Sequence, residues 1–165
     1  MIKMDALRAL YESLGLRDPQ TYVQSGNVIF KTGKRDLVAL GKGIETAIER
    51  TFGFRPDVVN RTLPELREAI AGNPFAARSG IEPNRLLVTF LTSELGKEVR
   101  SKLLAIQTDP EEMHIRRQEV YIYYPNGMAR PKFSWAAVER SLKISGTGRN
   151  WNTLRRLVEI AERLE

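Results

Sequence analysis

The alternation of apolar and polar residues divides the first part of the chain into a short series of elements. Apolar residues at helical spacing begin at Met4 and stop before Gly15, which predicts a helix. Apolar runs at residues 21–23 and 28–30 predict two strands joined by a tight turn. A second helical stripe over residues 37–52 completes the order helix, strand, turn, strand, helix.

The same order appears again in the second half of the chain. A helix with Ser93 as its N-cap is predicted by an apolar stripe of Leu95, Val99, Leu103 and Ile106. Strands at residues 113–116 and 120–124 form a second predicted hairpin, and Ser134 is predicted to cap the helix that follows it. The second copy therefore repeats the pattern of the first.

Shorter signals mark the joints between these elements. Asp-Pro pairs at residues 18–19 and 109–110 are predicted to break the chain at equivalent points of the two copies. Residues 58–59 predict a short strand, and the capping-box spacing at residues 62–65 predicts a short helix. The almost continuous apolar run at residues 85–92 predicts a strand that is buried on both faces.

A strand on either side of each copy gives the order β-α-β-β-α-β, which is the ferredoxin-like α/β plait. We therefore predict an α+β protein made of two tandem plaits. Residues 1–72 are assigned to the first plait and a short helix, residues 73–84 to a linker, and residues 85–165 to the second plait and the C-terminal helix.

The first copy has little sequence where its opening strand belongs. Met1 and Ile2 alone precede the first helix, whereas the second copy follows a strong strand. We expect the first plait to lack its N-terminal strand, because the chain begins at an internal methionine or because another segment or chain fills the position.

Composition excludes several kinds of protein. The chain has 165 residues, no cysteine and one histidine, His114, so it has no disulfide, cysteine nucleophile or multi-histidine metal site. The longest apolar runs are as long as a strand and too short to span a membrane. No export signal opens the chain, so we expect a cytoplasmic protein with no cofactor and no membrane partner.

Positive charge is concentrated near the C-terminus. The net charge is +6, and residues 130–156 alone contain seven lysines and arginines against the single acidic residue Glu139. We call residues 130–156 the basic segment. Such a segment is a possible footprint for an anionic partner, or else a solvated surface whose counter-charges come from elsewhere in the fold.

Four motifs resemble one bacterial family. They are TYVQSGNVIF at residues 21–30, NPF at residues 73–75, EVYIYYPNG at residues 119–127 and GTGRNWNTL at residues 146–154. With these motifs, the chain is similar to the family called domain of unknown function 1697. The resemblance implies two tandem α/β plaits that begin with an apolar strand and a glycine-rich loop, both of which are missing here, and it implies no reaction.

Two short motifs supply candidate ligand-binding residues. The turn at residues 24–27 places Ser25, Gly26 and Asn27 where they can bind a ligand or satisfy their own backbone. The segment at residues 146–151 is interpreted as a helix start, and its candidate ligand-binding residues are Gly148, Arg149 and Asn150. Its free N–H groups and the Arg149 guanidinium can bind an anion, or the segment can simply begin a helix.

The remaining candidates are weaker. Tyr121 and Tyr123 share one face of a strand and are expected to stack on bases or, more simply, to pack against the other plait. Lys132 and Arg155 belong to the basic segment and can assist Arg149 in binding phosphate.

Three hypotheses for function follow from these features. The first is a non-catalytic binding module for nucleic acid or a nucleotide, in which charge reversal at Arg149 or Arg155 weakens binding. The second is an enzyme or small-ligand protein with a site between the plaits, built in part by the missing glycine-rich loop. The third is an assembly role, in which the open sheet position recruits another strand and sets the oligomeric state.

Overall fold

The protein is an α+β chain with two separate antiparallel sheets. The computed structural model describes residues 2–22 and 26–165, and the statements below apply to those residues. The helices are Met4–Ser13 (α1), Leu37–Phe52 (α2), Leu63–Ala71 (α3), Lys97–Leu104 (α4), Trp135–Leu142 (α5) and Trp151–Leu164 (α6). The strands are Arg17–Tyr22 (β1), Asn27–Lys31 (β2), Leu86–Leu91 (β3), Glu112–Arg116 (β4), Glu119–Tyr123 (β5) and Gly146–Asn150 (β6).

The chain divides into two compact units. The first unit comprises Met1–Arg67 and Arg155–Glu165, and the second comprises Glu68–Leu154. Residues 73–84, which were predicted to be a linker, are grouped with the second unit. None of the helices in the described part of the chain is long and apolar enough to cross a membrane.

The first unit packs α1 and α2 with the two-stranded sheet β1-β2. Its core contains the apolar stripes of both helices, as the sequence predicts. The buried members are Leu7, Tyr11, Leu16, Leu40, Ile44 and Ile48. Tyr11 also contacts Phe30 of β2 edge to face, with ring centroids 5.4 Å apart. The helical spacing seen in the sequence therefore produces one continuous core cluster in this unit.

The predicted chain break at Asp18-Pro19 is wrong, because both residues lie inside β1. The pairing of β1 with β2 contains a bulge between Arg17 and Gln20, and Asp18 has a positive φ of 50°. A bulge leaves an extra residue outside the regular ladder, so it accommodates a proline that has no N–H to donate.

The short strand predicted at residues 58–59 is also absent. The N–H of Val58 donates to Glu45 Oε2 at 2.9 Å, so a side chain takes the place of a strand partner. The capping box is confirmed. The Thr62 N–H donates to Glu65 Oε1 at 2.8 Å, and the Glu65 N–H donates to Thr62 Oγ1 at 3.2 Å, at the start of α3.

The second unit contains a four-stranded antiparallel sheet in the order β4-β5-β3-β6. The predicted buried strand is confirmed as the inner strand β3, in which five of six residues are buried. A core cluster on one face of the sheet includes Leu103 of α4 and Val138 of α5. Val120 and Ile122 of β5 belong to the same cluster, so both helices contribute to the core that covers this face.

The two predicted helix caps of this unit have different outcomes. Ser134 caps α5 as predicted, since its Oγ accepts the N–H of Ala137 at 3.2 Å. Ser93 does not cap α4, because that helix begins later, after Gly96, without a side-chain cap. Leu95, which was assigned to the helical stripe, instead packs against the core from the preceding loop.

Candidate functional site

The basic segment carries four exposed cations close together in sequence. Arg130 and Lys132 lie in the loop before α5, Arg140 lies in the last turn of α5, and Lys143 is the residue that ends this helix. In the described residues, none of these four side chains has a carboxylate oxygen within the 4.0 Å limit of an ion pair. We call this set the four-cation surface.

The position of two of these cations has a structural explanation as well. A helix C-terminus carries a partial negative charge, so Arg140 and Lys143 stabilise the end of α5 by roughly 0.3–1 kcal/mol each. Lys143 has a positive φ of 53°, which makes it the left-handed residue that ends the helix. This role uses the charge near the backbone and leaves the side chains exposed to solvent.

The helix start predicted near Asn150 is confirmed, since α6 begins at Trp151, but the residues before it, 146–150, form the strand β6. Gly146 and Gly148 pair with Leu91 and Thr89 of β3, so the segment belongs to a sheet. A Cβ on Gly146 would lie 2.7 Å from the Phe90 carbonyl oxygen. Glycine at this position therefore permits close contact with β3, and Gly148 is not part of a phosphate-binding loop.

The guanidinium of Arg149, predicted to bind an anion, is only partly exposed to solvent. The side chain is half-buried, and its Nη1 donates to the carbonyl oxygen of Gly148 at 2.8 Å. Burial lowers the pKa of the Arg149 guanidinium from its ordinary value. This residue is therefore a poorer candidate for phosphate binding than the four-cation surface.

Asn150 caps α6 as the sequence predicts. Its Oδ1 accepts the N–H of Thr153 at 2.9 Å, so the side chain satisfies one of the N–H groups that the anion hypothesis required. Arg155 is exposed on α6 and has no ion-pair partner in the described chain, whereas Arg156 pairs with Glu159 at 2.8 Å. Arg155 thus remains available to a partner.

In the described part of the hairpin, Asn27 satisfies a backbone group of its own strand pair. Asn27 is buried, and its Nδ2 donates to the Tyr22 carbonyl oxygen at 2.9 Å, across the turn. Gly26 has a positive φ of 82°, which favours glycine there. Ser25 lies outside the described residues, so its candidate role stays a prediction.

The tyrosine face of β5 is covered from within the second unit. Tyr121 is 1% exposed and its hydroxyl donates to the Ala69 carbonyl oxygen at 2.6 Å. The Phe75 ring lies 5.7 Å from that of Tyr123. The base-stacking interpretation is therefore wrong. The rings are packed, as the alternative expects, but their cover comes from the end of α3 and the segment after it, within the second unit itself and not from another plait.

The buried tyrosines are expected to make the folded protein less stable at alkaline pH. Burial raises the pKa of Tyr11 to about 12, and burial together with the charge of Glu119 raises that of Tyr121 to about 12, from the ordinary value of 10.0. An unfolded tyrosine ionises first, so stability is fully present below pH 10 and falls as the pH rises from about 10 towards 12.

We expect the urea midpoint of unfolding to fall across this pH range. The double variant Tyr11→Phe/Tyr121→Phe should lose part of that dependence, because neither ring can then ionise. At neutral pH the double variant should have a free energy of unfolding lower by about 1 kcal/mol, because the hydrogen bond of the Tyr121 hydroxyl is lost. An absorbance titration in which every tyrosine of the folded protein ionises near its ordinary pKa would contradict this account.

His114 and the acidic residues of the described chain are not grouped as metal ligands. His114 is exposed and packs edge to face on Phe75 with ring centroids 5.1 Å apart. Throughout residues 2–22 and 26–165, no group of three or more histidine and acidic side chains is placed to hold a metal ion.

The sequence did not identify a small cavity in the second unit. It has a volume of about 180 Å³ and lies beside the start of α4. Thr92, Ser93, Lys143 and Ser145 contribute polar groups to its wall. Ligand pockets for drug-sized molecules are larger, roughly 300–1,000 Å³. Isolated serine, threonine and lysine residues carry no sequence signal, so no pattern could have found this cavity.

The comparisons with known proteins address the family and the fold. The sequence profile of the family described as "Protein of unknown function (DUF1697)" matches residues 1–121. The chain belongs to this family. The match to DUF1697 contains the motifs at residues 21–30 and 73–75, whereas the motif at residues 146–154 lies beyond it.

A solved structure resembles this DUF1697 protein over nearly its whole length. It is the conserved bacterial protein SP0830 from Streptococcus pneumoniae, with a TM-score of 0.72 and 19% sequence identity. The similarity covers 98% of this chain and 90% of that one. At this identity the likeness shows the fold alone. No curated protein matches the chain.

Proposed function

We propose that this chain is a non-catalytic binding module for a phosphate-bearing partner, nucleic acid or a nucleotide. The observation that carries the proposal is the four-cation surface, whose side chains are exposed and have no carboxylate partner in the described chain. Exposed cations without internal partners attract phosphates, because binding releases the counterions that the phosphates hold.

The pairing of arginines elsewhere strengthens this argument. Arg78 forms two hydrogen bonds to Glu112, at 2.8 and 2.5 Å, and Arg117 contacts Glu68 at 2.5 Å. Acidic partners are thus available to arginines of the same unit. The four-cation surface lacks them, so its positive charges are not neutralised by ion pairs within the described chain.

We also propose that the units derive from tandem ferredoxin-like plaits. In the second unit the elements follow one another as β3-α4-β4-β5-α5-β6 and the sheet is antiparallel. This order supports a complete plait there. In the first unit the described sheet has the two strands β1 and β2. Plaits occur in proteins with many different functions, so only the surface charges support the proposed binding of phosphate.

The test is a binding titration against labelled single-stranded RNA, single-stranded DNA and duplex DNA over a salt series. The variant Arg130→Glu/Lys132→Glu is compared with Lys34→Glu/Arg35→Glu, which reverses two exposed charges outside the basic segment. Both variants change the net charge equally. We expect the first variant to bind roughly ten- to a hundredfold more weakly, with a salt slope smaller by about 2, and the second to bind nearly as the wild type does.

Two outcomes would contradict the proposal. If the wild-type chain does not bind any of the three nucleic acids at low salt, the four-cation surface is only a solvated face. If both variants lose the same affinity, the attraction depends on net charge and the basic segment has no special role.

A further inference from the structure

A carboxylate is buried beside the loop that carries two of the four cations. Glu111 directly precedes β4 and is 3% exposed. Its Oε1 accepts the backbone N–H of Lys132 at 3.0 Å. Its second oxygen, Oε2, is buried and has no hydrogen-bond partner in the described part of the chain. In the described part of the chain, this carboxylate therefore has its hydrogen bond with the loop that carries Arg130 and Lys132.

Such an arrangement is a poor way to stabilise a core. Removing a carboxylate from water costs several kcal/mol, and a single hydrogen bond to a neutral N–H offsets only part of that cost. The charge also affects Tyr124, a buried neighbour whose pKa is raised first by burial and then by Glu111. An apolar side chain of similar volume would fill the space at lower cost, so stability alone does not explain a glutamate here.

The loop of residues 125–134 is held near both ends. Near its start, Arg85 Nη1 donates to the Pro125 carbonyl oxygen at 2.7 Å. Near its end, Glu111 holds the Lys132 N–H, and the next residue, Phe133, is 5% exposed in the core. Arg130 lies between these two points. The Glu111 hydrogen bond thus fixes the backbone where the cationic side chains leave the surface.

We propose that Glu111 is a positioning residue for the phosphate-binding surface, because its buried carboxylate fixes the loop that presents Arg130 and Lys132. The inference rests on the proposed function. It adds that binding depends on a residue that is buried and negatively charged, and that would repel phosphate if it acted directly. A loop held in one conformation loses less entropy on binding than a loop that must first be ordered.

Two nearly isosteric substitutions separate the effect of the Glu111–Lys132 hydrogen bond from the effect of the Glu111 charge. Glu111→Gln keeps a side-chain oxygen that can accept the Lys132 N–H, whereas Glu111→Met fills the same space without an acceptor. Both variants remove the negative charge, so any change in long-range attraction is the same in both. Their difference therefore reports the hydrogen bond to the loop.

We expect Glu111→Gln to bind single-stranded DNA at least as tightly as the wild type. Glu111→Met should bind about three- to tenfold more weakly, and its salt slope should be smaller by roughly 1, because phosphate contacts from the loop are lost. Thermal unfolding of both variants shows whether the folded fraction is the same. A substitution that only destabilised the fold would lower the folded fraction and leave the salt slope of binding unchanged.

Hydrogen exchange tests the Glu111–Lys132 hydrogen bond without any nucleic acid. The Lys132 amide should be protected in the wild type and in Glu111→Gln, and should exchange faster in Glu111→Met. The Ala137 amide, which donates to Ser134 Oγ, serves as the internal control. If the wild-type Lys132 amide exchanges as fast as an exposed amide, the inference is wrong even where neither variant folds.

The binding data separate failure of the inference from failure of the proposed function. If the wild type binds with a salt slope that depends on Arg130 and Lys132, but Glu111→Met binds equally well, the positioning role alone is refuted. If the wild type does not bind, the proposed function fails and the inference fails with it. The exchange data would then still report whether Glu111 holds the loop.

Discussion

Replacing Leu103 with alanine is expected to lower the free energy of unfolding by about 3 kcal/mol, the largest single effect that we predict. Leu103 is 0% exposed and belongs to the core cluster of the second unit. The substitution removes buried methyl groups and leaves a cavity that the surrounding side chains fill only in part. The urea midpoint measures this loss.

The neighbouring residue provides a matched control. Leu104 is 59% exposed on the same helix, so Leu104→Ala makes an identical chemical change at the surface. Its expected cost is within about 0.5 kcal/mol. Equal costs for the two variants would mean that α4 does not present Leu103 to the sheet, and the assignment of the helix-covered face would be wrong.

The buried side of α4 could be predicted from the sequence because helical spacing is a strong local signal. Leu103 belonged to the predicted apolar stripe, and the structure buries it. The hairpin β4-β5 was equally predictable, since two apolar runs flank a short polar turn. Both features depend on residues close together in sequence, so neither requires knowledge of distant contacts.

The errors in the prediction arise where distant residues decide the local structure. Residues 146–150 have the glycines and polar groups of a loop, yet they form β6 because β3 supplies a partner for their backbone. Val58 has strand propensity, yet its N–H is taken by Glu45 from another element. The local composition of a segment does not show which distant residues will pair with its backbone.

The candidate site was predictable in part for the same reason. The sequence located the basic segment, since charge density can be counted along a chain. It did not show that Arg149 is half-buried or that Glu111 holds the Lys132 backbone. The contact between Glu111 and Lys132 joins residues 21 positions apart in sequence, and a single glutamate has no motif around it.

The glycines of β6 offer the sharpest test of the corrected assignment. We expect Gly146→Ala to lower the free energy of unfolding by about 2–3 kcal/mol, as over-packing in a core does. The new Cβ would lie 2.7 Å from the Phe90 carbonyl oxygen and 3.2 Å from Leu91 Cα. Both are backbone atoms of β3, so the clash is relieved only by moving the two strands apart.

Gly148→Ala is the matched control on the same strand. Its Cβ would first meet the end of the Leu87 side chain, with Cδ2 at 3.2 Å, and a flexible side chain can shift. The loss of freedom in the unfolded chain also favours alanine by about 0.4–1 kcal/mol, so the net effect is expected to be small. If the segment were an anion-binding loop, both variants would instead retain stability and lose affinity for nucleic acid. Urea unfolding and the DNA titration on the same two variants decide between these outcomes, because a sheet and an anion loop predict opposite patterns.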